Sequence, residues 1–239
     1  MSCFLLLNTK FSPWPSFSNE EANAAKRVLL SNKVNYWTGL ECKEFEKEFA
    51  KYSNTLYAIS LSNGSVAIEL ALKSINVGIG DEVIVTPRTF MASVSSILLV
   101  GATPVFVDVD KDSQNISTES IKPAITKKTA AIICVHLAGL ACEMDSIMEL
   151  AESNDIHVIE DCSQAHGAKY KGRPVGSIGS IGTWSFCQDK ILTTAGEGGM
   201  ITTNDEMIWK KIWSYRDHGK NYDIVNKQNQ SNGFQWVHE

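Results

Sequence analysis

From residue 56 onward the apolar positions fall into two alternating rhythms. Short, nearly continuous apolar runs at 56–61, 83–86, 105–109, 130–135 and 157–160 have the length of strands. Between them, residues 66–75, 90–100, 117–125 and 145–152 carry apolar side chains at helical spacing. Strands that read as unbroken apolar runs belong to sheets buried on both faces. The pattern therefore predicts an α/β fold: a doubly wound, mainly parallel sheet with helices on both faces, where ligands bind outside the carboxyl ends of the strands. A last strand-like piece at 184–186 leads into glycine-rich turns that end at Gly199.

Upstream of this layer, Ser18 followed by Glu20 and Glu21 predicts a capped helix running to about residue 31, with Ala24, Ala25, Val28 and Leu29 on one face. Residues 32–39 read as a loop whose Tyr36 and Trp37 pack, and 41–53 as a second amphipathic helix with Phe45, Phe49 and Tyr52 on one face. The expected organisation is an irregular arm over residues 1–19, one large α/β domain over 20–220, and a polar Asn/Gln-rich segment over 221–239. That last segment reads as the start of a truncated C-terminal part.

Composition narrows the function classes. With 44% hydrophobic and 21% charged residues, the 239-residue chain has an ordinary globular balance. A formal net charge of -5 gives no electrostatic reason to expect nucleic acid or an acidic membrane as partner. The six cysteines are scattered without a C-x-x-C pair, so they read as free thiols of a reducing cytoplasm rather than metal ligands or disulfides. No signal peptide and no membrane span is expected.

Candidate chemistry gathers at the strand exits. Ser60-Leu61-Ser62-Asn63-Gly64-Ser65 runs directly into a helix; it is either an anion cradle of backbone N–H groups and hydroxyls or an ordinary cap closed by Ser65. It matches neither the nucleotide-triphosphate loop nor the dinucleotide glycine pattern, and a small phosphate ester suits it better. Phe90 either stacks on a flat ligand ring or belongs to the core. His136 is either a site residue or a satisfied histidine at the rim. Asp161 ends an apolar run, where a carboxylate costs desolvation unless a cation such as a protonated pyridine nitrogen accompanies it; the other reading is a structural carboxylate. Ser185 and Lys190 follow. Cradle, aromatic, carboxylate, hydroxyl and lysine in that order suit an enzyme that holds an aldehyde cofactor as a Schiff base.

Over most of residues 19–220 the chain resembles the DegT/DnrJ/EryC1/StrS sugar aminotransferases, enzymes of the aspartate aminotransferase fold type that use pyridoxal 5'-phosphate. The resemblance rests on ordered motifs: Trp37-Thr38-Gly39, Asn63-Gly64-Ser65, the stretches 78–90 and 101–110, Val135 through Gly139, Glu160 through Ala168, Ser185 through Lys190, and G-E-G-G at 196–199, with Arg216 through Gly219 beyond. It implies that Lys190 holds the cofactor aldehyde and then shuttles the proton between Cα and C4′. It further implies that Asp161 pairs with the pyridine nitrogen, Phe90 stacks on the ring, Gly64, Ser65 and Ser185 bind the phosphate, and Gln164 sits near the ring hydroxyl. A related dehydratase branch has histidine at the lysine position, so Lys190 points to transamination.

The implied reaction moves an amino group, usually from L-glutamate, to a nucleotide-linked keto-sugar in glycan precursor synthesis, within a cytoplasmic homodimer. Two other classes stand beside it: a truncated, non-catalytic remnant that pairs with a full-length relative, and a lyase or desulfurase on the same fold, for which no cysteine is marked as mobile and catalytic. Ala195 departs from the glycine common in relatives before E-G-G, a change expected to have little effect. The ending at Glu239 leaves no residues for the family's C-terminal part.

Overall fold

The computed structural model describes residues 13–228, with the side chains of the last two left aside. It divides into two compact units at Leu40/Glu41. In the first, α1 (Asn19–Leu30) opens with a reciprocal capping box: the Ser18 hydroxyl accepts the Glu21 N–H and the Glu21 carboxylate accepts the Ser18 N–H. The following loop winds around Asn35, whose side-chain oxygen accepts the N–H groups of Trp37 and Thr38. Tyr36 and Trp37 meet edge to face at 6.2 Å.

The second unit holds α2 (Glu41–Ser53), β1 (Tyr57–Leu61), α3 (Gly64–Ser74), β2 (Glu82–Val85), α4 (Ala92–Leu99), β3 (Thr103–Phe106), α5 (Thr118–Ile121) and β4 (Thr129–Val135). It continues with α6 (Met144–Glu152), β5 (His157–Asp161), the hairpin β6 (Lys169–Tyr170) and β7 (Arg173–Pro174), β8 (Ile181–Ser185), β9 (Gly199–Thr203), α7 (Glu206–Arg216) and α8 (Tyr222–Gln228). Seven strands form one sheet in the order β1-β9-β8-β5-β4-β2-β3. All neighbours are parallel except β9, which runs antiparallel to both β1 and β8.

The sheet is covered on both sides because its central strands carry apolar side chains toward both faces. Val83, Val85, Ile133, Val135 and Ile159 face a core shared with α3, α4 and α7. Their alternates Ile84, Ile132, Cys134 and Val158 face α5 and α6. Over β8 and β9, α2 packs Phe49 against Trp184 and Phe186, with ring centroids 5.1 and 5.4 Å apart.

Three elements differ from the pattern. β3 lies over Thr103–Phe106 rather than 105–109; its Pro104, which lacks an N–H, is tolerated because β3 is the edge strand. β8 covers Ile181–Ser185, earlier than 184–186. The stretch from Gly199, where the pattern predicts no element, is the antiparallel strand β9. Among the described residues no helix is long and apolar enough to cross a membrane.

Candidate active site

The carboxyl ends of β1, β2, β5 and β8 converge on a cavity of about 440 Å³. Its lining includes all seven residues singled out above: Gly64, Ser65, Phe90, Asp161, Gln164, Ser185 and Lys190. It also includes residues that sequence reasoning passed over, among them Ser163, Cys187, Asp189 and Glu197.

The phosphate-cradle candidate is built at the start of α3. Asn63, not Ser65, caps this helix: its Oδ1 accepts the Val66 N–H at 2.9 Å. Ser65 is thereby released from capping and exposed, and the first N–H groups of the helix have no intrahelical acceptor. Gly64 is required by contact. A Cβ there would lie 2.8 Å from the Ser185 Cβ, so glycine lets the helix start touch the end of β8. Gly199 answers the same crowding from the other side, since a Cβ on it would run into the Asn63 carbonyl.

At the end of β2, Phe90 is 69% exposed and faces the cavity, and the Lys190 Nζ sits 5.9 Å from its ring centroid. Lys190 lies on the loop after β8, which is pinned by the bonds Lys190 N–H to Cys187 O and Gln188 N–H to Gly196 O. Its ammonium is 3.3 Å from Asp189 Oδ2. Gln164 is held from behind by the Ala138 N–H, which donates to its Oε1 at 3.0 Å.

Period-2 alternation along β5 sends its two terminal carboxylates to opposite faces. Asp161, 5% exposed, accepts the Ser93 hydroxyl at 2.7 Å on Oδ2 and the Ser163 N–H at 3.1 Å on Oδ1. It makes no ion pair among the described residues. Glu160 lies on the other face, fully buried, and accepts four hydrogen bonds: from His136 Nε2 and from the N–H groups of Gly176, Ile178 and Gly179.

His136 is therefore a buried, satisfied histidine outside the cavity lining. The Cys142 N–H donates to its Nδ1 at 3.1 Å, so the Nε2 carries the proton that faces Glu160. Burial would raise the Glu160 carboxyl, but the His136 bond and the N–H groups of Gly176 and Gly179 outweigh it and hold it below the usual value. His136, Glu160 and Cys162 place potential ligand atoms within 4.8 Å of one another, yet the Glu160 oxygens and both imidazole nitrogens are committed to protein partners.

Ala195, on the Lys190 loop, has φ 68, in the left-handed region where a side chain is strained. An alanine at this angle carries a conformational cost relative to glycine that the sequence alone did not suggest.

A lysine and an ion-pair-free carboxylate facing one cavity at the carboxyl ends of a mainly parallel sheet define a domain of the aminotransferase fold. An aminotransferase of Psychrobacter cryohalolentis superposes with a TM-score of 0.94 at 60% identity, over 96% of this chain and 58% of that one. The chain belongs to the DegT/DnrJ/EryC1/StrS aminotransferase family, whose profile matches residues 15–235. It is 44% identical over 209 residues to a GDP-perosamine synthase of Escherichia coli O157:H7, covering 86% of this chain and 56% of that protein. NtdA of Bacillus subtilis, solved with bound cofactor PMP, superposes with a TM-score of 0.81 at 28% identity, over 96% of this chain and 53% of that one. The chain thus spans somewhat more than half the length of the relatives it matches.

Proposed function

We propose that this chain forms the cofactor-binding part of a pyridoxal 5'-phosphate-dependent aminotransferase acting on a nucleotide-linked keto-sugar, with an amino acid, L-glutamate, as donor. The setting is cytoplasmic glycan precursor synthesis, and the enzyme works as a homodimer. The observation that carries the reading is the meeting, in one cavity, of Lys190 with the buried Asp161, whose carboxylate has no ionic partner there.

The residues present fit the cofactor. The close approach of Gly64 to Ser185 brings helix N–H groups and a hydroxyl together for a phosphate. The exposed face of Phe90 takes the ring, and Asp161 supplies the negative charge that favours a protonated pyridine nitrogen. Gln164, its Oε1 fixed by Ala138, stands for the ring hydroxyl. When bound, pyridoxal phosphate supplies the electron sink that makes an α-proton of the donor acidic. Lys190 would hold the cofactor aldehyde; once displaced, its amine would take that proton from Cα and return it at C4′, on the far side of the intervening nitrogen. The second half of the exchange runs the same proton path backwards on the keto-sugar.

A spectral titration with pyridoxal phosphate tests this, beside Lys190→Ala. The expected result is a visible band that borohydride fixes and the variant lacks, with glutamate-dependent amination of a nucleotide keto-sugar. A folded protein with no lysine-dependent band overturns the proposal.

A further inference from the structure

Asp161 is held by a relay of hydroxyls that reaches it from another part of the chain. Ser93, in the first turn of α4, is fully buried, and its Oγ lies 2.7 Å from Asp161 Oδ2 across 68 residues of sequence. Thr89 Oγ1 lies 2.8 Å from the same Ser93 oxygen. The direction of the relay follows from the end group. A carboxylate only accepts, so the single Ser93 proton is committed to Asp161, and Thr89 must donate to Ser93. Hydrogen bonds aligned in one direction polarise each other and strengthen the terminal one.

The relay also spans the turn that carries Phe90. The Ser93 N–H bonds to the Phe90 carbonyl at 3.1 Å, and Thr89 precedes Phe90 directly. The aromatic face and the buried carboxylate are thus set in register by one turn of chain. Both donors to Asp161, Ser93 and the Ser163 N–H, are neutral. They orient the carboxylate and satisfy part of its acceptor capacity while leaving its charge uncompensated for a cation from outside.

We infer that Ser93, aligned by Thr89, is a positioning residue that acts through Asp161 to keep the pyridine nitrogen of the cofactor protonated. The inference rests on the function proposed above. It assigns to the hydroxyl an electronic effect on the cofactor beyond the packing of α4.

The test is the nitrogen chemical shift of ¹⁵N-pyridine-labelled pyridoxal phosphate bound to the full chain, followed over pH, in wild type, Ser93→Ala and Thr89→Val. Wild type is expected to show the protonated shift throughout. Ser93→Ala is expected to move toward the unprotonated shift as pH rises and to bind the cofactor roughly tenfold more weakly, the scale of one hydrogen bond to a charged group. Thr89→Val, which leaves Asp161 and its direct donors in place, is expected to fall between the two. Shifts identical to wild type in both variants overturn the inference even if the variants are less stable, because a packing role alone does not move this nucleus. A wild type without the lysine-dependent band overturns the functional proposal and this inference together; a bound wild type with unmoved variants overturns the inference alone.

Discussion

Glu160 and Asp161 are adjacent carboxylates on one strand, both buried, and the sheet assigns them opposite fates. On one face Glu160 accepts four hydrogen bonds, as many as a carboxylate's lone pairs accommodate, from partners contributed by the ends of β4 and the segment before β8. On the other face Asp161 accepts two, both from neutral groups, and borders an open cavity. Burial of a charge does not by itself mark function. The distinguishing property is whether the protein has already answered the charge. Glu160 is closed and ties segments together; Asp161 keeps spare acceptor capacity beside a cavity.

Removing each carboxylate is the strongest way to break this contrast. Glu160→Ala would leave the His136 N–H and three backbone N–H groups buried without an acceptor. The expected cost is about 3 kcal/mol or more, read as a fall in the urea midpoint. Asp161→Asn, which retains the shape and an acceptor for Ser93 but turns its amide group toward the Ser163 N–H, is expected to cost less, about 1 kcal/mol. It is expected to abolish the lysine-dependent cofactor band. Equal losses of stability in the two variants would erase the distinction.

His166 sharpens it, because it shares the same loop yet belongs to neither class. Its ring lies 5.4 Å from Trp184 and 5.5 Å from Phe186, and both nitrogens are buried without a well-formed hydrogen bond among the described residues. Burial and the nearby Lys190 charge, opposed by the Ser185 backbone, pull it from 6.5 to about 4. The native value is depressed, so the unfolded chain takes up the proton first as the pH falls. The contribution to stability is present above pH 6.5 and is lost toward pH 4, at up to about 1.4 kcal/mol per pH unit. Wild type minus His166→Phe, measured by urea unfolding across that window, should show this slope. A difference that stays flat would mean that the imidazole protonates as freely in the fold as outside it.

The sequence made much of this architecture readable, for identifiable reasons. Strands buried on both faces announce themselves as apolar runs, and the chemistry at their exits uses residue types that are costly without a partner, as Asp161 is. What escaped depends on contacts distant in sequence. β9 was hidden by its leading glycine, Gly199, whose reason is the Asn63 carbonyl just past the neighbouring strand β1. The cap at Asn63 and the competing candidate Ser65 differ by two residues, and only the Val66 N–H decides between them. Ser93 is one serine among several in α4, and nothing local distinguishes it; its partner lies 68 residues away. His136 was ambiguous because its role depends on Cys142 and Glu160 jointly.

The smallest expected effect concerns strain, and it too separates the open face from the closed one. Among the described residues two alanines have positive φ, and both belong to loops beside the cavity: Ala138, whose N–H holds Gln164, and Ala195, on the loop of Lys190. Left-handed alanine costs about 1 kcal/mol relative to glycine, whereas the asparagines at similar angles elsewhere are tolerated more readily. A Cβ at the neighbouring Gly196 would meet nothing within 4 Å, so this part of the loop has room to relax. Ala195→Gly should therefore raise stability by up to about 1 kcal/mol, reduced by the added freedom of glycine in the unfolded chain. If the strained angle also holds the lysine in place, the same variant should weaken the cofactor band while the urea midpoint rises. A midpoint that falls would show that the left-handed turn at Ala195 carries no strain for glycine to relieve.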